Sequence, residues 1–334
     1  MTLKVGIVGV GHFGKHHVRC HQEGKFNLVG FFDINPETSR AVEEQFRERS
    51  FPSYDALLEK CDVVDVVVPT SDHFQVAEKA IRAEKHVFIE KPVTSTLQEA
   101  SELKKLAGEY GVKIQVGHIE RFNPAFRAVK KFIREPKFIE LHRLGPFHPR
   151  NKDVPVVMDL LIHDIDIVLN LVKSKVDLIR SSGVPVISNS PDITNARVEF
   201  ANKCVDNMTS SGISLKKMRK LRLFQPDAYI TIDFLNKKSD IVSIHEVKDT
   251  PTDPFALVMD LGNGKPKKQI KFEKPKVNDN NAMVEELNSF YDAIVSDAVP
   301  EVPIEDGYNA LELAIKIMDN FNPNWVWFAA GIIM

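Results

Sequence analysis

Gly9-Val10-Gly11-His12-Phe13-Gly14 follows the apolar run Val5-Gly6-Ile7-Val8 and precedes residues able to start a helix. This is the strand, loop and helix context of a dinucleotide-binding turn. The first glycine permits the tight turn, the second lets the backbone approach a pyrophosphate, and the third lets helix and strand pack closely. The helix amino terminus then faces the phosphates. Alone, such a hexad also fits other glycine-rich turns, those of methyltransferases among them. A second apolar run, Leu28-Val29-Gly30-Phe31-Phe32, ends in Asp33, about 20 residues beyond the loop, where an NAD site carries its ribose-binding acid. A carboxylate there accepts the ribose hydroxyls and repels a 2′-phosphate, which favours NAD over NADP. The alternative for Asp33 is a turn residue ahead of Asn35-Pro36.

Outward from this loop, strand and helix patterns alternate as parallel βαβ units do. The strand Val63 to Val68 stops at Pro69-Thr70-Ser71-Asp72-His73, at the carboxyl edge of the sheet where ligands bind in such folds. His73 either touches the cofactor or caps the next helix. The strand His86-Val87-Phe88-Ile89 ends abruptly in Glu90-Lys91-Pro92. The proline stops the ladder and holds Lys91 extended, so the lysine is aimed outward from the strand end, as an active-site residue or as a surface charge. A helix from Leu97 to Tyr110 and a strand from Lys113 to Gly117 close the pattern, and His118 to Pro124 leads into the next helix.

From Phe138 onward, short alternating runs predict a mostly antiparallel sheet: Phe138–Arg143, Val176–Val184, Ile193–Phe200, Cys204–Ser210, Met218–Phe224, Tyr229–Phe234 and Ile241–Val247. One apolar helix is embedded early, from Val156 to Leu169. The basic run Lys216 to Arg222 reads as an exposed edge strand protected by its charges, with a diphosphate or nucleic-acid surface as the alternatives. Thr250 to Asp279 reads as a long hairpin or excursion, and helices are expected over Val284–Ser296 and Tyr308–Met318.

The 334 residues suggest two domains, and 43% hydrophobic with 27% charged residues is an ordinary globular composition. A net charge of −2 supplies no basic field for nucleic acid or an anionic membrane. Cys20, Cys61 and Cys204 are scattered and form no C-x-x-C pair, which points to a reducing cytoplasm and to no cysteine metal site. Met1-Thr2-Leu3-Lys4 runs straight into a strand, so no signal peptide is expected. The apolar end, Trp325 to Met334, is too short to span a membrane and reads as a docked tail.

The embedded helix carries Asp159 and His163, four residues apart and therefore on one face, with Asp166 a further turn along. Burying such groups is costly unless they are paired or used. As a core pair they satisfy each other. As catalysts, His163 brings a side chain type that ordinarily titrates near neutrality and can take a hydroxyl proton, Lys91 can stabilise the alkoxide, and Asp159 can orient the imidazole or a sugar. A metal on His163, Asp164 and Asp166 is disfavoured because Asp164 faces away from the other two.

Together these residues resemble the Gfo/Idh/MocA oxidoreductases: Gly9 to Gly14, Asp33, Pro69-Thr70 with His73, Glu90-Lys91-Pro92, Arg121 with Pro124, Asp159 with His163, and Val302 to Gly307. The resemblance implies an α/β fold, with a doubly wound parallel Rossmann sheet over residues 1–120. An α+β substrate-binding and dimerisation domain on a large, open, mostly antiparallel sheet is implied over 121–334. It implies a catalytic set of Lys91, Asp159 and His163, and a substrate contact from Arg121, for which a helix-start ion pair is the alternative. It implies NAD contacts from Gly9, Gly11, His12, Phe13, Gly14, Asp33, Pro69, Thr70, His73, Glu90 and Lys91. Many members carry a Gly-Gly pair upstream of the aspartate, where this chain has Val154-Pro155-Val156, and that changes the expected pocket.

More narrowly, His118 to Pro124 with Met158 to Asp166 is similar to the branch oxidising C3 of UDP-N-acetylglucosamine ahead of a pyridoxal-phosphate aminotransferase, on a route to diamino-sugar lipid A. The expected protein is a cytoplasmic homo-oligomer acting on a sugar nucleotide or small sugar. Rival readings are a dehydrogenase of another sugar, an inositol or a UDP-hexuronate, and a non-catalytic NAD-binding sensor.

Overall fold

The apolar runs between residues 4 and 117 become five parallel strands: β1 (Lys4–Val8), β2 (Asn27–Phe32), β3 (Val63–Val66), β4 (His86–Glu90) and β5 (Ile114–Gly117). The computed structural model describes residues 2–147, 155–247, 257–260, 262 and 265–321. It divides into one unit of residues 1–122 and 280–312, and a second of 123–279 with the residues from 313 onward.

In the first unit the strands lie in the order β2-β1-β3-β4-β5. β3 and β5 are buried along their whole length, which an open sheet achieves only with helices on both faces. Those helices include α1 (Gly14–Glu23), α2 (Pro36–Phe46), α3 (Tyr54–Leu58), α4 (Thr70–Arg82) and α5 (Leu97–Tyr110). Their starts are written locally. Asn35 caps α2 by accepting from the amides of Glu37 and Thr38, with Pro36 opening the helix. Thr96 and Glu99 form a reciprocal capping box on α5. Strand order reverses between β1 and β3, so the crevice for a ligand opens at their carboxyl ends.

The first unit differs from a single cut at residue 120. Helix α8 (Ala282–Val295) returns to it, and Leu287 and Phe290 complete a core with Val5, Cys20, Phe26, Val63 and Phe88. An apolar helical stripe announces that it will be buried but does not name its partner. Phe290 is fully buried. Phe290→Ala is expected to cost roughly 3–5 kcal/mol, read as a lowered urea midpoint with an unchanged m-value.

In the second unit the described residues form a nine-stranded sheet in the order β13-β14-β12-β11-β10-β6-β9-β8-β7. These strands are β6 (Phe138–Leu144), β7 (Val176–Val184), β8 (Ile193–Phe200), β9 (Val205–Ser211), β10 (Met218–Gln225), β11 (Ala228–Asp233), β12 (Lys238–Val247), β13 (Leu257–Met259) and β14 (Lys267–Glu273). The β6–β9 pair is parallel and the other neighbours are antiparallel. Buried and less buried residues alternate along β6, β8 and β9, so one face is the core face. Helix α6 (Pro124–Lys130) precedes the sheet, α7 (Ile162–Leu171) lies between β6 and β7 in the chain, and α9 (Ile304–Asp319) closes the described chain.

The basic run proves not to be an edge. β10 pairs with β11 on one side and β6 on the other. Lys220 and Arg222 occupy the open face of a central strand while Leu221 and Leu223 are buried on the opposite one. There they find cross-strand partners: Arg222 pairs with Glu140 and Lys220 with Asp233. The 250–279 excursion supplies the β13–β14 pair at the sheet edge, although its first residues lie outside those described, as do Val154 and the Trp325–Met334 tail.

Candidate active site

In the first unit three strand ends meet around the glycine loop. Gly9 has φ of +91°, and a Cβ there would lie 2.7 Å from the Val67 carbonyl oxygen. A Cβ on Gly14 would come within 2.1 Å of the Gly9 carbonyl oxygen. At Gly11 the same construction meets no atom within 4 Å, so the middle glycine opens onto free space. His12 and Phe13 are exposed beside it, and no side chain caps α1. Packed outer glycines, an open middle one and an uncapped helix start are what a pyrophosphate requires.

Asp33, at the end of β2, accepts from the Val10 amide at 2.8 Å through one oxygen and from the Asn35 amide at 2.8 Å through the other. It therefore fixes the loop and serves the turn, while each carboxylate oxygen keeps a lone pair for a ribose hydroxyl. Asp33→Ala is expected to raise the Kd for NAD about tenfold or more, the effect of losing charge-assisted hydrogen bonds, as measured by calorimetric titration.

Beyond β3, Pro69 and Thr70 begin α4, and Ser95 Oγ donates to the Thr70 carbonyl at 3.3 Å. His73 is 1% exposed, with Nδ1 2.9 Å from the Pro92 carbonyl oxygen and Nε2 3.0 Å from that of Val68. It does not cap the helix; its ring ties together the turns that follow β3 and β4. Burial pushes its pKa down, so the neutral ring donates to one carbonyl at a time.

Glu90 and Lys91 stand at the end of β4, the Lys91–Pro92 bond is cis, and the Lys91 amide donates to Glu90 Oε2 at 3.2 Å. Arg121 is turned inward: it is 2% exposed, and Nη1 donates to Asp306 Oδ2 at 2.7 Å and to the Glu301 carbonyl at 3.1 Å. The ion pair that the alternative reading of Arg121 expects is therefore present, with Asp306 as its partner.

Residues that the sequence reading missed lie behind Glu90. His17 Nδ1 and His21 Nε2 are each 2.8 Å from Asp65 Oδ2, and His17 Nε2 is 3.1 Å from Glu90 Oε1. His17 and Asp65 are fully buried. Burial alone would lower the His17 pKa, but the charge and hydrogen bonds of Asp65, with those of Glu90, raise it well above the ordinary imidazole range. Burial would likewise raise the Asp65 pKa, and the two histidines instead hold it below the usual carboxylate range. Two signals were present in the sequence: histidines four apart on an amphipathic helix, and an aspartate interrupting a strand of valines. By contrast, burial pushes the Cys61 and Cys204 thiols up to about 11, which leaves them unreactive.

In the second unit the embedded helix is two structures. Val157–Leu161 is a π-helical turn, with the Ile162 amide reaching back to the Val157 carbonyl, and α7 continues from it. Asp159 lies on the π turn and His163 at the start of α7; both are partly buried. Asp164, read from spacing as merely facing away, accepts from buried Arg143 on β6 through Nε at 2.9 Å and Nη2 at 2.6 Å. That pair anchors the first turn of α7 to the sheet. Asp206 is also fully buried, and burial together with the Asp164 charge pushes its carboxyl well above the ordinary range.

Residues 3–118 match the family model described as an oxidoreductase family with an NAD-binding Rossmann fold, GFO_IDH_MocA. Over 235 residues, 70% of this chain and 75% of that enzyme, the sequence is 38% identical to a UDP-N-acetylglucosamine 3-dehydrogenase of Acidithiobacillus ferrooxidans. The chain belongs to the Gfo/Idh/MocA oxidoreductase family. As a Gfo/Idh/MocA member it is an NAD-binding oxidoreductase, and its glycine loop and Asp33 fit that cofactor. A solved structure of the A. ferrooxidans enzyme, GnnA, superposes with a TM-score of 0.86 at 31% identity, covering 96% of this chain and 98% of that one. An inositol 2-dehydrogenase/D-chiro-inositol 3-dehydrogenase of Halalkalibacterium halodurans is 32% identical over 50% of this chain and 52% of that enzyme. Among the described residues no helix is long and apolar enough to cross a membrane.

Proposed function

We propose that this chain oxidises the C3 hydroxyl of UDP-N-acetylglucosamine to a ketone, with Lys91, Asp159 and His163 as its catalytic residues. The observation that carries the reading is the 38% identity to the A. ferrooxidans dehydrogenase in a chain that holds all three chemistry-bearing residues. NAD, when bound, supplies the hydride acceptor. His163 takes the hydroxyl proton, Lys91 stabilises the alkoxide by charge and hydrogen bonding, and Asp159 orients the imidazole or the sugar. The π turn beneath Asp159 supports this assignment, since such turns concentrate at functional sites. Gly9, Gly11, His12, Phe13, Gly14, Asp33, Pro69, Thr70, His73 and Glu90 serve the cofactor, His73 by tying the turns after β3 and β4.

The ketone is a substrate for a pyridoxal-phosphate aminotransferase on a route to diamino-sugar lipid A, and the protein works as a cytoplasmic homo-oligomer. The test is NADH formation from UDP-N-acetylglucosamine and NAD, repeated with glutamate and an aminotransferase to draw the reaction forward. A 3-amino sugar nucleotide is the expected product. Turnover instead with an inositol or a UDP-hexuronate would overturn the substrate and keep the family, and tight NAD binding with no turnover on any sugar would favour a sensor.

A further inference from the structure

Lys91 N, Glu90, His17, Asp65 and His21 form one hydrogen-bonded chain that runs inward from the end of β4. Both nitrogens of His17 face carboxylates. Ionised carboxylates only accept, so both contacts are hydrogen bonds only when the imidazole carries two protons. The chain has no outlet: His21 is 2% exposed, and its Nδ1 has no hydrogen-bond partner among the described residues. A relay closed at its inner end holds a proton in place rather than delivering it.

The same cluster has the composition of a metal site, with candidate ligand atoms of His17, His21 and Asp65 within 4.8 Å of one another. A metal would need a lone pair from His17, and here both ring nitrogens are spent on carboxylates at hydrogen-bonding distance. Glu90 is confined on a further side. A Cβ on Gly117 of β5 would lie 3.0 Å from its carboxyl atoms, so the carboxylate rests against bare backbone. Its two oxygens are then assigned, one to His17 and one to the Lys91 amide.

We propose that His17 is a positioning residue of this oxidoreductase: as an imidazolium shared between Asp65 and Glu90, it locks the Glu90 carboxylate against the Lys91 backbone and thereby fixes where Lys91 presents its ammonium group. The inference rests on the reading of Lys91 as the group that stabilises the alkoxide. The titratable groups facing His17 are Asp65 from β3, Glu90 from β4, and His21 and Cys20 from its own helix; the edge of Phe88 completes its surroundings.

The deciding experiment has two arms. In the first, the NAD-bound protein labelled with ¹⁵N-histidine is followed by NMR from pH 6 to 9. His17 should show two protonated nitrogens at pH 7, and Asp65→Asn should move the loss of its second proton to lower pH. Added Zn²⁺ should leave these signals unchanged. In the second arm, His17→Gln should lower kcat at least tenfold with little change in KM for NAD. Glu90→Gln added to His17→Gln should cost much less than it does alone, because both substitutions break one contact.

A neutral His17 at pH 7, zinc displacing its protons, strictly additive losses, or wild-type kcat in His17→Gln would each overturn the proposal. The NMR arm needs no substrate, so it is independent of the functional reading. Full turnover by Lys91→Ala would remove that reading while leaving the state of His17 measured.

Discussion

His163→Ala is expected to lower kcat by about 10²- to 10⁴-fold, the range for removal of a general base, while leaving NAD affinity unchanged. The reason lies in how the two units divide the work. The glycine loop, Asp33 and the turns tied by His73 belong to the first unit, and each is complete without His163. His163 belongs to the second unit, beside Asp164, whose pair with Arg143 ties the first turn of α7 to the sheet. Initial rates of NADH formation and calorimetric NAD titration separate the two quantities. With the base absent, the remaining rate should climb as hydroxide increases and should be partly restored by added imidazole. Wild-type turnover by the variant would remove His163 from the mechanism.

Asp164→Leu is expected to cost as much stability as Phe290→Ala. Arg143 and Asp164 are each 2% exposed in their side chains, and two donors of the guanidinium converge on one carboxylate oxygen. Removing one partner of a buried pair costs roughly 3–5 kcal/mol, mainly because the other charge stays in a low-dielectric site.

The penalty should also depend on pH, through Asp206. A carboxyl whose folded pKa lies above its unfolded value takes up a proton on folding, so wild-type stability falls as pH rises from about 4 toward the folded value. Part of that elevation comes from the Asp164 charge, second to burial. Without Asp164 the slope should be shallower, and the penalty measured by urea unfolding should narrow between pH 5 and pH 8. A penalty that widens over that range would contradict the assignment of Asp206 as a neutral, buried acid.

The cofactor half of the site was legible because its determinants are local. A glycine hexad between strand and helix, and an acid at the end of the next strand, are each set by neighbours in sequence. The sheet of the second unit was legible for a related reason: alternation of apolar residues survives whatever the strand pairs with. What escaped was partnership at a distance. The stripe on α8 did not say which core it would enter. The charges of β10 suggested an edge although Leu221 and Leu223 marked an ordinary one-sided strand. That Asp306 would stand beside Arg121 could not be read from spacing. The π turn leaves no mark on residue spacing. His17, His21 and Asp65 were visible as anomalies, two histidines at helical spacing and an acid among valines, but their meaning depends on three elements meeting.

The return of α8 also constrains how the protein is made. The polypeptide leaves the first unit after residue 122 and re-enters it at 280, so the ribosome must add the whole intervening segment before Leu287 and Phe290 emerge. At 5–20 residues per second that delay is on the order of 8–34 s. Throughout it, Val5, Cys20, Phe26, Val63 and Phe88 await the helix that covers them. Nascent chains of this protein should therefore present an apolar surface to chaperones late into synthesis, and a truncation at residue 122 should aggregate rather than fold.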